Sequence, residues 1–591
     1  MKKNYINYLF IITSLLSSFI LFNLTCGFNY RFIIGDLVVL LLISSFSYLV
    51  KNKKLYFLIF SIIISFICFI NSLYFNQYND FVSICLIETL FEAFKLPSEA
   101  VTNVFEIKDF IYFYQVIVFL LIFIFDKEKY NKNKSYFKSN VCIAFLSTVL
   151  LILTMNSNDI YKIKNEWNEV YKARNFGVFA YQVSDVLYNF TKLFNFDKDI
   201  SYDDFFELKN NKTNMYTNIF KDKNVIFIHA ESIQSMFINE SINGNDITPN
   251  LNKLVSSGMY FSNFYSQESV GTSSDTEYTF ATSMLPIGVG TTFLKYDSNN
   301  LSTVQKDFNE KGYYTFSMHG NTCNYWNRDV MHKTIGYQKY YCYDVYDLSD
   351  KMGLGLSDKS FFNQSADIIN SIDSKFAATL IMLSNHTPFD NEGRVNFDVD
   401  YLEGTILGDY IKLVHYADEA IGEFINKLDN LGILDNTVIV IYGDHDAKIK
   451  EKEYDLYFNN GIDKNDPNYI EIDFYKYEEL SRVPLIIWSK DGSVQGEISK
   501  IMGMIDVRPT ISNMFGLDCD YCLGNDIFNV DENIVVFPNG NWITDKVYYN
   551  NQKGEYKLYE QIDDKYINEK EKYARKIVEI SNDVLKYDLV K

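Results

Sequence analysis

Proline and histidine are scarce in this chain, and positive charge is in deficit. Only 8 prolines and 6 histidines occur among 591 residues, and 55 Lys and Arg stand against 75 Asp and Glu, a net charge of −20. That balance excludes a general nucleic-acid binder, which needs a basic face toward phosphates. Few prolines together with 48% hydrophobic residues exclude disorder as the main state. No proline- or glycine-rich linker and no internal repeat interrupts the chain. At roughly 150 residues per domain, its length corresponds to about four domains' worth of chain. Cysteine says little: the Cys519-x-x-Cys522 pair reads as a disulfide or as two thiols ahead of a zinc site.

Long uncharged runs are what the first quarter does have. Residues 5–27 carry no charge, and apolar stretches come next at about 33–50 (with Asp36), 55–75, 110–125 and 137–155. Each approaches the ~20 residues that cross a ~30 Å hydrocarbon core, so residues 1–156 read as five membrane-spanning helices. The first run is too long for a signal-peptide core and more spans come after it, so it reads as a retained helix. Lysines cluster at Lys2 and Lys3, at Lys51, Lys53 and Lys54, and between Lys127 and Lys134, on alternate loops. The positive-inside rule then puts the amino terminus in the cytoplasm and everything after residue 156 outside. Phe81–Phe94 reads as an amphipathic interfacial helix or an ordinary loop helix, and residues 157–215 as a helical connector.

From residue 216 the pattern is alternating strand and helix. Strands are expected near Val225–Ile228, Tyr313–Met318, Ala377–Leu383, Thr437–Tyr442 and Val483–Ile487. Helices are expected at Thr248–Ser257, Asp409–Leu431 and Ile505–Phe515. This α/β order predicts a mainly parallel sheet flanked by helices over 216–591, and ligands of such sheets bind beyond the carboxyl ends of the strands. There the sequence places His229-Ala230-Glu231, His319-Gly320-Asn321, Ser384-Asn385-His386 and Asp444-His445-Asp446. Four of the 6 histidines fall at these ends, which marks a site. Glu231, Asp444 and His445 together suit a divalent ion such as Mn²⁺ or Zn²⁺. Between these ends, Gly271-Thr272-Ser273-Ser274-Asp275-Thr276-Glu277 opens an apolar helical run. It reads as a capping box (Ser273 with Thr276, or Ser274 with Glu277) and also as an anion site whose hydroxyl can serve as a nucleophile toward phosphorus.

These segments, with His319-Gly-Asn and Tyr325-Trp326-Asn327-Arg328, Gly355-Leu-Ser-Asp-Lys359, Arg482-Val-Pro484 and Asp506-Val-Arg-Pro-Thr510, resemble the alkaline phosphatase/sulfatase superfamily. More narrowly, the whole plan resembles lipoteichoic acid synthase and related membrane-anchored phosphoglycerol transferases. The resemblance implies that Glu231, Asp444 and His445 hold one Mn²⁺-like ion (Mg²⁺ or Zn²⁺ as alternatives), with the nucleophile as fourth ligand. The family's threonine, in a Gly-Lys-Thr-Ser-Asp pattern, aligns with Ser273, and Thr272 replaces the lysine. Either Ser273 is the nucleophile or a small shift uses Thr272; the alignment favours Ser273. His319, Trp326, Arg328 and His386 match positions that line the phosphoglycerol pocket. The implied activity is metal-dependent transfer of glycerol phosphate from phosphatidylglycerol to a polyglycerol phosphate or glycolipid acceptor, through a covalent intermediate.

A sulfatase would carry a Cys-or-Ser-x-Pro-x-Arg motif, and Ser273-Ser274-Asp275 has neither the proline nor the arginine. A phosphodiesterase or phosphatase, or a phosphoethanolamine transferase of the same superfamily, stays open as an alternative. A non-enzymatic receptor with a degenerate domain is disfavoured by the complete Glu231, Asp444 and His445 set.

Overall fold

The computed structural model describes residues 4–78, 80–86, 107–128, 130, 132–164, 169–192, 200–207 and 213–590. It divides into two compact units, Met1–Asp197 and Lys198–Lys591.

The first unit is built on five apolar helices, α1 (Tyr5–Leu24), α2 (Phe32–Phe46), α3 (Lys53–Tyr78), α4 (Tyr114–Phe125) and α5 (Lys134–Leu153). A 3₁₀ turn, Ile107–Phe113, extends α4. Among the described residues, four segments are long and apolar enough to cross a membrane: Tyr5–Leu24, Lys53–Asn76, Ile107–Phe125 and Lys134–Leu153. The second run is shorter than its sequence suggests. Its 15 helical residues rise about 22 Å, and at its carboxyl end Asn7 Nδ2 donates to the Ser44 carbonyl and to the Ser44 and Ser47 hydroxyls at 3.2, 2.7 and 2.8 Å.

The one acid in α2 is not left unsatisfied. Asp36 accepts from the Ser18 hydroxyl at 2.5 Å and from the N–H groups of Phe179 and Ala180 at 2.8 and 3.3 Å. It therefore sits at the amino end of the helix Val178–Lys192, where a carboxylate complements the exposed N–H groups. That helix and Glu169–Phe176 both pack on α2, so the first part of the expected connector lies within the first unit. The stretch expected as an amphipathic helix at Phe81–Phe94 lies, from residue 87 onward, outside the described residues.

The second unit carries an eight-stranded sheet. In chain order its strands are β1 (Asn224–Ala230), β2 (Met259–Phe261), β3 (Tyr314–His319), β4 (Lys339–Tyr341), β5 (Phe376–Ile381), β6 (Thr437–Gly443), β7 (Leu485–Ser489) and β8 (Gly496–Ile498). In space they run β8-β2-β7-β6-β1-β5-β3-β4, and only β7 is antiparallel to its neighbours. Strand side chains alternate between two cores. Ile226, Ile228, Ile439, Ile441, Ala378 and Leu380 face one layer, while Val225, Phe227, Val438, Val440 and Ala377 face the other. Burial on both faces explains why the central strands read as unbroken apolar runs. A small antiparallel sheet, Val535–Val536, Trp542–Ile543, Val547–Asn550 and Glu555–Leu558, lies near the carboxyl end.

The register of the parallel strands positions the site. Tyr442, His229, Ile381 and His319 lie on one rung across β6, β1, β5 and β3. Two residues further along, Glu231 and Asp444 leave adjacent strands side by side.

Candidate active site

Glu231, Asp444 and His445 are buried, and one ligand atom of each lies within 4.8 Å of the others. The loop geometry that brings them there is specific. Ser232 takes φ 52°, in the left-handed region, and its N–H donates to Asp444 Oδ1 at 2.7 Å. The His445 N–H donates to the same oxygen at 2.8 Å. His445 Nδ1 donates to the Asp446 carbonyl at 2.8 Å. Its Nε2 is therefore the nitrogen that faces Asp444 Oδ2 and Glu231 Oε1, 3.3 and 3.6 Å away, and that a metal ion would take. An imidazole oriented in this way by a carbonyl is the usual arrangement around a metal-ligating histidine.

Electrostatics point the same way. Burial and the adjacent Asp444 charge push the Glu231 carboxyl upward. Burial would lower the His445 imidazole, yet the carboxylates of Asp444, Glu231 and Glu268 raise it instead. The trio thus retains protons that a divalent cation would displace. Two carboxylates and one correctly oriented imidazole can hold such an ion.

The helix α10 spans Ser273–Thr282, where α6 (Ser157–Lys164), α7 (Glu169–Phe176), α8 (Val178–Lys192) and α9 (Pro249–Ser257) precede it. Ser273, its first residue, donates from Oγ to Glu231 Oε2 at 3.3 Å and lies 3.2 Å from His445 Nε2. Thr272 precedes it as the N-cap, with φ 44° and ψ −113° and no side-chain capping bond. The capping-box expectation fails on this geometry. Asp275 instead accepts from the N–H groups of Ser269 and Gly271 at 3.1 and 2.8 Å, folding the preceding loop, and Ser274 Oγ donates to the Gly271 carbonyl at 2.7 Å. A Cβ at Gly271 would come within 2.5 Å of the Asp275 carboxylate, so this turn needs glycine.

Beside the trio lies a second buried group. Arg328 opens α11 (Arg328–Ile335) and donates from Nε and Nη2 to Glu277 Oε1 at 2.9 and 2.7 Å. His332 Nε2 donates to Glu277 Oε2 at 2.7 Å. His319 Nδ1 donates to the Ile381 carbonyl at 3.0 Å, which leaves Nε2 to accept from Arg328 Nη1 at 3.4 Å. Burial and the Arg328 charge push the His319 imidazole down to about 3, so it is neutral. Burial would raise the Glu277 carboxyl, but Arg328 and His332 hold it well below the usual range. His229 links toward the trio, with Nε2 3.1 Å from Asp444 Oδ2.

The remaining candidates lie around these groups. Trp326 is half-buried, and both it and Asn327 adopt left-handed backbone, φ 56° and 58°. Asn327 Nδ2 donates to the Phe293 carbonyl at 3.2 Å and to Asp297 Oδ2 at 2.9 Å, which secures the turn before Arg328. His386 lies beyond β5, half-buried, with Nδ1 donating to the Thr387 carbonyl at 2.6 Å. A disulfide joins Cys323 to Cys342 across the segment that carries Trp326, Arg328 and His332, and a second joins Cys519 to Cys522. The Thr272 side chain makes none of the trio's hydrogen bonds. Asp506 and Arg508, part of the Asp506–Thr510 motif, hold the fold: Arg508 donates to Asp307 Oδ2 at 2.9 Å, and Asp506 accepts from the Gly503 N–H at 2.9 Å. Glu277 and His332 escape a reading of the sequence as site residues; a histidine within a helix and a glutamate in its first turns carry no distinguishing local signal.

Two family models match: Sulfatase over residues 223–517 and Lipoteichoic acid synthase N-terminal domain over residues 2–194. Lipoteichoic acid synthases of Staphylococcus aureus strains USA300 and NCTC 8325 / PS 47 are each 31% identical over 592 aligned residues, covering 93% of this chain and 88% of theirs. The lipoteichoic acid synthase LtaP from Listeria monocytogenes superposes with a TM-score of 0.59 at 28% identity, covering 66% of this chain and 98% of that one. A Vibrio parahaemolyticus protein of the alkaline phosphatase superfamily shares the fold, with a TM-score of 0.51 at 19% identity over 66% of this chain and 93% of its own.

Proposed function

The chain belongs to the lipoteichoic acid synthase family, and from that premise we propose that it transfers glycerol phosphate from phosphatidylglycerol to a polyglycerol phosphate or glycolipid acceptor. The observation that carries this reading is the Ser273 hydroxyl, set at a helix amino terminus 3.2 and 3.3 Å from His445 and Glu231.

In this reading Glu231, Asp444, His445 and Ser273 hold one divalent ion, Mn²⁺ in preference to Mg²⁺ or Zn²⁺. When bound, such an ion lowers the pKa of a neighbouring hydroxyl and offsets charge on phosphoryl oxygens. Ser273 Oγ loses its proton to solvent as it attacks the phosphorus of the donor. An O–P bond to the serine forms, the bond to diacylglycerol breaks, and the departing oxygen takes a proton from solvent. Arg328 and the N–H groups at the start of α10 face the phosphoryl oxygens. His319, neutral and committed as an acceptor, orients Arg328 rather than donating to substrate. Trp326 closes the glycerol pocket. In the second half an acceptor hydroxyl loses its proton to His386 Nε2 and attacks the serine-bound phosphorus; the bond to Ser273 breaks and its oxygen takes up a proton from solvent.

The lysine distribution supports a cytoplasmic amino terminus and an outer catalytic domain, residues 216–591. The apolar helices of residues 1–156 keep the site near its lipid donor. Incubating the full chain with phosphatidylglycerol vesicles and Mn²⁺, with and without a glycolipid acceptor, tests the proposal. Glycerol phosphate appearing on the acceptor together with diacylglycerol supports it. Free glycerol phosphate released at the same rate in both mixtures would establish a phosphodiesterase instead.

A further inference from the structure

We propose that Glu277 is a positioning residue that presents Arg328 to the donor phosphate, with His332 as its brace. The inference rests on the functional reading above and extends it to residues that no comparison assigns.

Glu277 lies one helical turn after Ser273, about 6 Å along the axis of α10, so one helix carries both the hydroxyl and the carboxylate. Oε1 takes the side edge of the guanidinium, accepting from Nε and Nη2 together. This fixes the plane of the group, which a single hydrogen bond would not. Oε2 is held independently by His332 Nε2 at 2.7 Å, and His332 Nδ1 lies 2.9 Å from the Ser317 hydroxyl on β3. The carboxylate is therefore tied to α11 twice, and through His332 to the strand that ends in His319.

A guanidinium has five N–H donors. Two are engaged by Glu277 and a third by His319 Nε2, leaving one hydrogen on each terminal nitrogen. Glu277 takes the Nε side of the group and leaves the edge between the terminal nitrogens, which matches two oxygens of a phosphate, outside its own bonds. Glu277, Arg328, His319 and His332 are all buried, so water cannot replace a lost partner and the orientation depends on the protein groups alone. The simpler reading is a buried ion pair that serves folding only, and glycerol phosphate affinity in folded variants that retain Mn²⁺ separates the two.

The full chain in phosphatidylglycerol vesicles is assayed as wild type, Glu277→Gln, Arg328→Gln and the double variant. Affinity for glycerol phosphate is measured by calorimetry on the same set in a Ser273→Ala background. Mn²⁺ retention is followed throughout. Glu277→Gln is expected to lower kcat/KM by about 10²-fold, in line with an angstrom-scale misplacement, and to weaken glycerol phosphate binding while Mn²⁺ is retained. Added to Arg328→Gln it should cost less than about threefold more, because it acts through that arginine. Losses that multiply in the double variant would overturn the proposal. If Glu277→Gln does not fold, His332→Gln replaces it in the cycle under the same criterion. A wild type that transfers no glycerol phosphate refutes the functional reading, and this inference with it; an active wild type with multiplying losses refutes only the role of Glu277.

Discussion

Ala230 and Gly443 are paired in register at the ends of adjacent parallel strands, and the next residue on each strand is an acid. The sheet itself therefore brings Glu231 and Asp444 together, and the repulsion between them is offset by His445 and would be offset further by a divalent ion. Mn²⁺ at a hundredfold over its dissociation constant should stabilise the second unit by about 2.7 kcal/mol. A thermal shift of the full chain on adding Mn²⁺ checks this. Asp444→Asn and Glu231→Gln should abolish both the shift and turnover, and a chelator should reproduce their effect on the wild type. An unchanged shift in Asp444→Asn would remove the trio as the binding site.

Thr272 bears directly on which hydroxyl reacts. A β-branched residue at φ 44° and ψ −113° costs of order 1–3 kcal/mol in strain, which glycine would relieve. Thr272→Gly is expected to raise the unfolding midpoint and to keep turnover within about tenfold of wild type, since the Thr272 hydroxyl makes no bond to the trio. Ser273→Ala should lose at least about 10³-fold, as removal of a nucleophile does. Mass spectrometry of protein incubated with donor alone should find one glycerophosphoryl group on Ser273 in the Thr272→Gly variant. Loss of the adduct in Thr272→Gly, with activity, would move the nucleophile to residue 272.

Much of this centre is readable from order alone. Strand periodicity locates β1 and β6, and the residues just past their carboxyl ends are Glu231 and Asp444-His445. The sheet edge then does the assembling, because parallel strands share a carboxyl end. The parts that cannot be read this way depend on tertiary placement. Glu277 reads as half of a capping box, yet the N-cap is Thr272 in left-handed backbone and the glutamate turns to Arg328, fifty-one residues away along the chain. The bond between Cys323 and Cys342 arises because β3 and β4 are neighbours, which no local spacing reveals.

Close packing of the first unit makes a separate prediction. A Cβ on Gly35 would stand 1.7 Å from the Phe176 carbonyl oxygen, and that neighbour is backbone. Gly35→Ala must therefore push the helix Glu169–Phe176 off α2 and loosen the Asp36 contact to Phe179. Overpacking of this kind costs typically ~1–3 kcal/mol. The midpoint of thermal unfolding in detergent should fall, whereas Ile33→Ala, at an exposed position two residues earlier, should leave it nearly unchanged. Equal midpoints for the two variants would show that α2 and this helix do not pack as described.

The Cys323–Cys342 bond spans 19 residues, from just after β3 to just after β4, and everything between them is the arm that carries Trp326, Arg328 and His332. Cross-linking a loop of this size is worth about 3 kcal/mol in the chain-entropy picture. Its local consequence comes from its position: it ties the two ends of the arm together, in addition to strand pairing, the Glu277 contacts and the Asn327 bonds to Phe293 and Asp297. Cys323→Ser with Cys342→Ser should raise KM for phosphatidylglycerol several-fold while kcat changes less, since Ser273 and the trio are anchored on other elements. The Cys519–Cys522 bond joins residues only 3 apart in sequence, so Cys519→Ser with Cys522→Ser should change neither constant appreciably. Kinetics of the two double variants side by side, each with and without reductant, check this. A kcat loss in the first pair equal to its KM change, or equal effects in both pairs, would mean that the bond does not act by holding the substrate arm.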